Sequence, residues 1–195
     1  MLPHRPKELI MNNKTKWITR SAISIALIIV IQLATRGFGQ QLITGSLVNL
    51  VLAFVTFLYG WSVGAVAAIV SPFIAHLLGI NAQILVVPAI AIGNLTYVLV
   101  TAVMVKALKG TKSSGDGKLI GSIKTLAAVV IAAACKFGIQ YLLIVKWIAP
   151  SFLPEKAQAV MAVNFGVMQL FTACIGGVLA CLIYPLVSAA LKDMN

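Results

Sequence analysis

The sequence predicts an all-α membrane protein, a six-transmembrane-helix bundle with its N- and C-termini cytoplasmic. Three observations carry this expectation. Of 195 residues, 61% are hydrophobic and only 10% are charged, and the mean hydropathy is +1.03, which leaves too few polar side chains to cover a water-facing surface. Apolar runs recur along the chain at the length that crosses a hydrocarbon core of roughly 30 Å at about 1.5 Å per residue. These runs lack the period-two polarity of barrel strands, so helices rather than a β-barrel follow.

The first run extends from about Trp17 to Ala34 and ends at the polar, glycine-rich connector Thr35-Arg36-Gly37-Phe38-Gly39-Gln40-Gln41. From Leu42 to Gly79 the apolar stretch is too long for one crossing, and Tyr59-Gly60-Trp61 near its middle predicts a tight turn between a second and a third helix. A fourth span covers about Gln83 to Val105, and residues 106–118, with Gly110, Gly115, Asp116 and Gly117, form a hydrophilic loop. The fifth covers about Leu119 to Trp147, after which Pro150 and Pro154 break the helix. The sixth covers about Ala157 to Leu191. The chain reads as one integral membrane domain, 1–195, with 1–16 as an N-terminal cytoplasmic segment. A cleavable leader is not expected, because no small-residue cleavage site follows the first run, and Met11 offers a second start.

Charge sets the orientation. Fifteen Lys and Arg face four Asp and Glu, a net charge of +11. Arg5, Lys7, Lys14, Lys16 and Arg20 precede the first span and Lys106, Lys109, Lys112 and Lys118 occupy the hydrophilic loop, the distribution of cytoplasmic segments. Topology thus accounts for the basic balance, and nucleic acid is not an expected partner. The connectors after spans one, three and five (36–44, 78–83 and 146–155) then share the outer face.

Few classes of chemistry remain open. Cys135, Cys174 and Cys181 lie within apolar runs, without a CxxC pair or a Cys/His cluster; they read as small core residues, and neither a metal nor a cofactor is expected. Paired aspartates, a Glu/His metal set and a serine with a base are all missing from the spans, so an enzyme is not expected. There is no phosphate-cradling loop, and no carboxylate within a span to carry protons. If the protein transports, something else supplies the energy.

Polar groups inside apolar helices are costly unless they pair. Gln32, Asn49, His76, Asn94, Lys136, Gln140, Asn164 and Gln169 are such groups. The amides suit either a mildly polar organic ligand or interhelical glue. Lys136, deep in the fifth span, requires an anion or a water-filled cavity unless it snorkels to the cytoplasmic side, and Gln140 stands one turn away. Arg36 either caps that cavity or anchors the helix at the interface. His76 reads as a packing residue, and Tyr59, Trp61 and Trp147 read as belt aromatics. Small residues four apart, at Ala22/Ala26, Gly60/Gly64/Ala68, Ala89/Gly93 and Ala173/Gly177, form ridges for close helix approach, inside the bundle or against a partner.

With six short-looped spans, a basic first turn and Ala22-Ile-Ser-Ile-Ala26, the chain resembles the S components of energy-coupling factor (ECF) transporters. Gln41 to Asn49, Ser71 to Gly79 and Val87 to Asn94 resemble segments of a bacterial branch that includes pantothenate S components. The resemblance implies a substrate-binding subunit in the bacterial cell membrane that captures a vitamin outside, while a T component and two separate ATPases drive release inside. It implies docking of the T component on Ala22 and Ala26. It also implies a ligand site near the outer face, which by segment includes Gln40, Gln41, Asn81, Gln83, Lys136, Gln140, Asn164 and Gln169. Pantothenate is the favoured vitamin, cobalamin the alternative, and a non-transporting membrane scaffold the alternative of a different class.

Overall fold

A computed structural model describes residues 12–38, 41–80, 83–110 and 123–193. Among these residues the regular structure is entirely helical. Helix α1 (Asn13–Thr35) starts at Asn12, whose side chain accepts from the Lys14 backbone N–H at 3.3 Å, satisfying one of the orphan donors of a helix start. Two of its hydroxyls are satisfied within the helix, Ser24 donating to Arg20 O at 2.6 Å and Thr35 to Ile31 O at 2.8 Å, the economical solution for a hydroxyl in an apolar medium; the buried Ser21 Oγ has no partner among the described residues.

After a 3-10 turn at Arg36–Phe38, α2 (Gln41–Tyr59) and α3 (Trp61–Leu77) follow. The turn between them falls at Gly60, as the sequence predicts, with φ at 90°, a conformation that a side chain would strain. Helix α3 closes in a Schellman motif: Ile80 N–H donates to Ala75 O at 2.8 Å and Gly79 N–H to His76 O at 2.9 Å, with Gly79 at φ 69°. A 3-10 turn at Ile84–Val86 leads into α4 (Val87–Gly110).

Two expectations about the last third need correction. Helix α5 (Ile123–Gln140) does not stop near Trp147 but winds on through a π-helical stretch, Tyr141–Ile148, into a single turn, α6 (Ala149–Phe152). Pro150 sits in the first turn of α6, where its missing N–H costs little, so only Pro154 ends the element. The sixth span is split in turn at Gly166 into α7 (Glu155–Phe165) and α8 (Val167–Asp193). Among the described residues, five stretches are long and apolar enough to cross a membrane: Asn13–Thr35, Gln41–Tyr59, Ile84–Leu108, Ile123–Phe152 and Glu155–Ala190. The third expected span, Trp61–Leu77, is apolar but shorter.

Close helix approach organises the interior. At Gly176 a Cβ would meet the backbone of α2, at Ser46 O and Leu50 N, and at Gly177 it would meet Val129 of α5 and the Tyr97 hydroxyl of α4. Tyr97, fully buried, donates to Ala173 O at 3.1 Å. Leu52, Val63, Ala67, Val98, Val129, Ala133 and Ala173 make up the core around it. Of the four small-residue ridges, those on α4 and α8 and the Gly64/Ala68 pair of α3 are consumed in this packing, whereas Gly60 at the turn and Ala22 and Ala26 on α1 lie exposed. Ile18, Ile23, Leu27, Val30 and Leu33 are also exposed along α1, an apolar surface suited to lipid. Cys181 is buried, but Cys135 is exposed rather than a core residue.

The two ends of the bundle differ. At one end the Trp17 indole donates to Ser62 Oγ at 3.2 Å and the Arg20 guanidinium lies 4.7 Å over the Tyr59 ring, so the start of α1 and the α2–α3 turn share a face. At the other end Thr44 of α2 donates to Thr35 of α1 at 2.7 Å.

Candidate functional site

At the end marked by Thr35 and Thr44 the helices part around a cavity of about 380 Å³. Its walls come from the end of α1 (Gln32, Thr35, Arg36), the start of α2 (Gln41, Thr44, Gly45, Val48, Asn49), the α3–α4 connection (Ile80, Gln83, Val86) and α7 (Val160, Met161, Asn164, Phe165). Pro72 of α3, Ile90 and Asn94 of α4, Lys136 of α5 and Gln169 of α8 complete it. The cavity therefore opens away from the basic start of α1. No carboxylate contributes to the lining among the described residues.

Lys136 defines the floor. Its ammonium donates to Asn49 Oδ1 at 2.6 Å and to Asn94 Oδ1 at 2.7 Å, and it lies 5.6 Å from the centroid of the Tyr97 ring. Asn49 stands five residues beyond Thr44, about 7 Å deeper along α2 at the α-helical rise. The lysine thus neither snorkels nor meets an anion of the protein: two neutral amides and a ring face solvate the charge. Side chains from α2 and α4 thus converge on an atom carried by α5. Asn49 is itself braced, since its Nδ2 donates to Thr172 Oγ1 at 3.5 Å and Thr172 donates to Gln169 O at 3.1 Å.

Gln41, Gln83, Lys136, Asn164 and Gln169, all expected at the site, line the cavity. Gln40 and Asn81 lie outside the described residues. Gln140 lies outside the lining: it is fully buried, packs against Gly93 where a Cβ would collide with it, and donates weakly to Ile90 O at 3.4 Å. Sequence reasoning flagged Asn49, Asn94 and Gln32 as intramembrane amides without assigning them to the site. Their signal was present, since amides are costly in apolar helices, but their convergence with Lys136 is a tertiary fact. Arg36, at the cavity mouth, is exposed.

Two further features bear on ligand chemistry. The side-chain oxygens of Gln32 and Gln169 are buried and accept no hydrogen bond, an expense of about 1–3 kcal/mol each that a ligand donor would remove. No group of three or more metal-ligating side chains occurs among the described residues.

The fold and the cavity define a multi-pass membrane protein that holds a polar, cationic chamber at one end of an apolar bundle. The chain belongs to the family of ECF transporter substrate-specific components, whose model matches residues 16–188. No curated protein and no solved structure matches it. Membership makes the protein a substrate-binding subunit of a transporter rather than an enzyme, and implies association with a coupling T component and ATPases.

Proposed function

We propose that this S component captures pantothenate from outside the bacterial cell membrane, in the cavity whose floor is Lys136, and yields it to the cytoplasm on docking to the T component and two ATPases. One observation carries the reading: among the described residues, a buried ammonium stands in a chamber without a lining carboxylate, held by neutral acceptors. Such a charge is costly to bury and favours an anionic ligand, because an anion offsets desolvation that amides offset only in part. The carboxylate of pantothenate would meet Lys136. Its hydroxyl and amide donors would suit Gln32, Gln41, Gln83, Asn164 and Gln169, with Gln40 and Asn81 in the adjoining connectors.

Size supports pantothenate over cobalamin. A cavity of about 380 Å³ lies near the lower end of the roughly 300–1,000 Å³ that small-molecule sites occupy, and a corrinoid is several times larger than pantothenate. Orientation follows from charge: the cavity opens on the face opposite Trp17 and Arg20, and the lysines near the first span and in 106–118 favour the cytoplasm. Ala22 and Ala26, exposed on α1, supply the T-component contact.

Calorimetric titration of the purified subunit with each vitamin tests the reading. Binding of pantothenate without binding of cobalamin is expected, and the reverse result would replace the substrate. Co-purification with a T component and two ATPases is expected from membranes.

A further inference from the structure

Lys136 lines the cavity and yet is only 1% exposed. Asn49 and Asn94 occupy two sides of its ammonium at 2.6 and 2.7 Å, and the Tyr97 ring covers another at 5.6 Å. A ligand cannot reach the charge by addition alone. One of these neighbours has to leave.

The neighbours are not equally free. Tyr97 is pinned through its hydroxyl to Ala173 O at 3.1 Å, and Asn49 is tethered through its own amide to Thr172. Among the described residues the Asn94 amide nitrogen has no such tether. Gln140, one turn beyond Lys136 on α5, packs against Gly93, which holds the backbone beside Asn94, whereas the Asn94 amide itself lines the cavity.

We infer that Asn94 is an internal stand-in for the substrate's carboxylate: in the empty cavity its amide oxygen occupies the place on Lys136 that the carboxylate takes, and capture exchanges one for the other. This rests on the proposed function, in that the ligand is taken to be a carboxylate. The exchange sets specificity. A neutral ligand oxygen that displaces Asn94 replaces one neutral acceptor by another and gains little, whereas a carboxylate gains the attraction between two charges away from water. Asn94 thereby acts as a threshold that neutral analogues do not pass, and as a specificity-determining residue through competition rather than contact.

The test measures binding of pantothenate and of its alcohol analogue pantothenol, which lacks the carboxylate, to wild type, Asn94→Ala and Asn94→Asp. Removal of the competitor by Asn94→Ala is expected to tighten pantothenate about three- to tenfold and to tighten pantothenol as well, since the threshold against neutral oxygens goes with the side chain. Asn94→Asp places a permanent carboxylate on Lys136 and is expected to weaken pantothenate by roughly thirtyfold or more while sparing pantothenol, which does not engage the lysine in wild type. Wild-type affinity in Asn94→Asp overturns the exchange, as does equal weakening of both ligands in Asn94→Ala; pantothenate binding by wild type would leave the proposed function standing in either case. Should Asn94→Ala fail to fold, Asn94→Asp decides alone. Absence of pantothenate binding in wild type removes the proposed substrate and the exchange together.

Discussion

The ammonium of Lys136 and the amide oxygen of Asn94 lie 2.7 Å apart, joining α5 to α4 at the floor of the cavity. The pair is made of a full charge and a dipole, with no formal counter-charge beside it among the described residues. A lysine in that situation retains much of its attraction for an anion.

Replacement of that charge is the most direct test of its role. Lys136→Met keeps an unbranched side chain, one atom shorter, and removes the ammonium. Affinity for pantothenate is expected to fall by about tenfold to a hundredfold, the loss of one charge-assisted contact away from bulk water. Calorimetry on protein that still elutes as a single species from a sizing column measures it, and undiminished affinity would remove Lys136 from the site.

Gln140 was expected at the ligand and is found behind the wall. Its Oε1 accepts no hydrogen bond, and its single donated bond is long at 3.4 Å. Gln140→Met is therefore expected to leave the midpoint of thermal unfolding unchanged or slightly raised, since it removes a buried orphan acceptor and conserves volume. Pantothenate affinity should stay within about twofold, and a tenfold loss would return Gln140 to the ligand.

Gly176 tests the packing of α8 on α2. A methyl group there meets the backbone of α2 rather than a side chain that could swing aside. Gly176→Ala is expected to destabilise by about 1–3 kcal/mol and to lower the melting temperature in detergent. Pantothenate capture should weaken with it, because α2 carries Asn49.

The exposed ridge on α1 separates partner binding from ligand binding. Ala22→Leu with Ala26→Leu adds bulk on a lipid-facing surface, so vitamin affinity and melting temperature are expected to hold. Co-purification with the T component is expected to fail. Ala173→Leu, on a buried ridge, is expected to do the opposite and destabilise the isolated subunit.

Much of the architecture is legible in the sequence because the bilayer imposes length and polarity on every span. The turn at Gly60 and the isolation of Lys136 within a run are local facts that no tertiary contact revises. The winding of Tyr141–Ile148 is different: no residue type marks a π-helical stretch, and Pro150 mimics a stop when it begins a turn. Gly166, one glycine within an apolar run, gave no sign of the division between α7 and α8. Of the cavity lining, Lys136 and four other polar residues, Gln41, Gln83, Asn164 and Gln169, could be listed beforehand. That Asn49 and Asn94 would turn toward Lys136 could not, because their meeting depends on how α2, α4 and α5 rotate against one another.

The wide winding of Tyr141–Ile148 has a geometric corollary. A helix wound i to i+5 carries a surplus residue relative to an ordinary turn, so this stretch stores chain length. Reversion to tighter coiling would let out that reserve and swivel everything downstream, beginning with the short segment before Pro154 and then α7, which supplies Asn164 and Met161 to the chamber. Deletion of one residue between Leu142 and Lys146 is the genetic equivalent of that recoil.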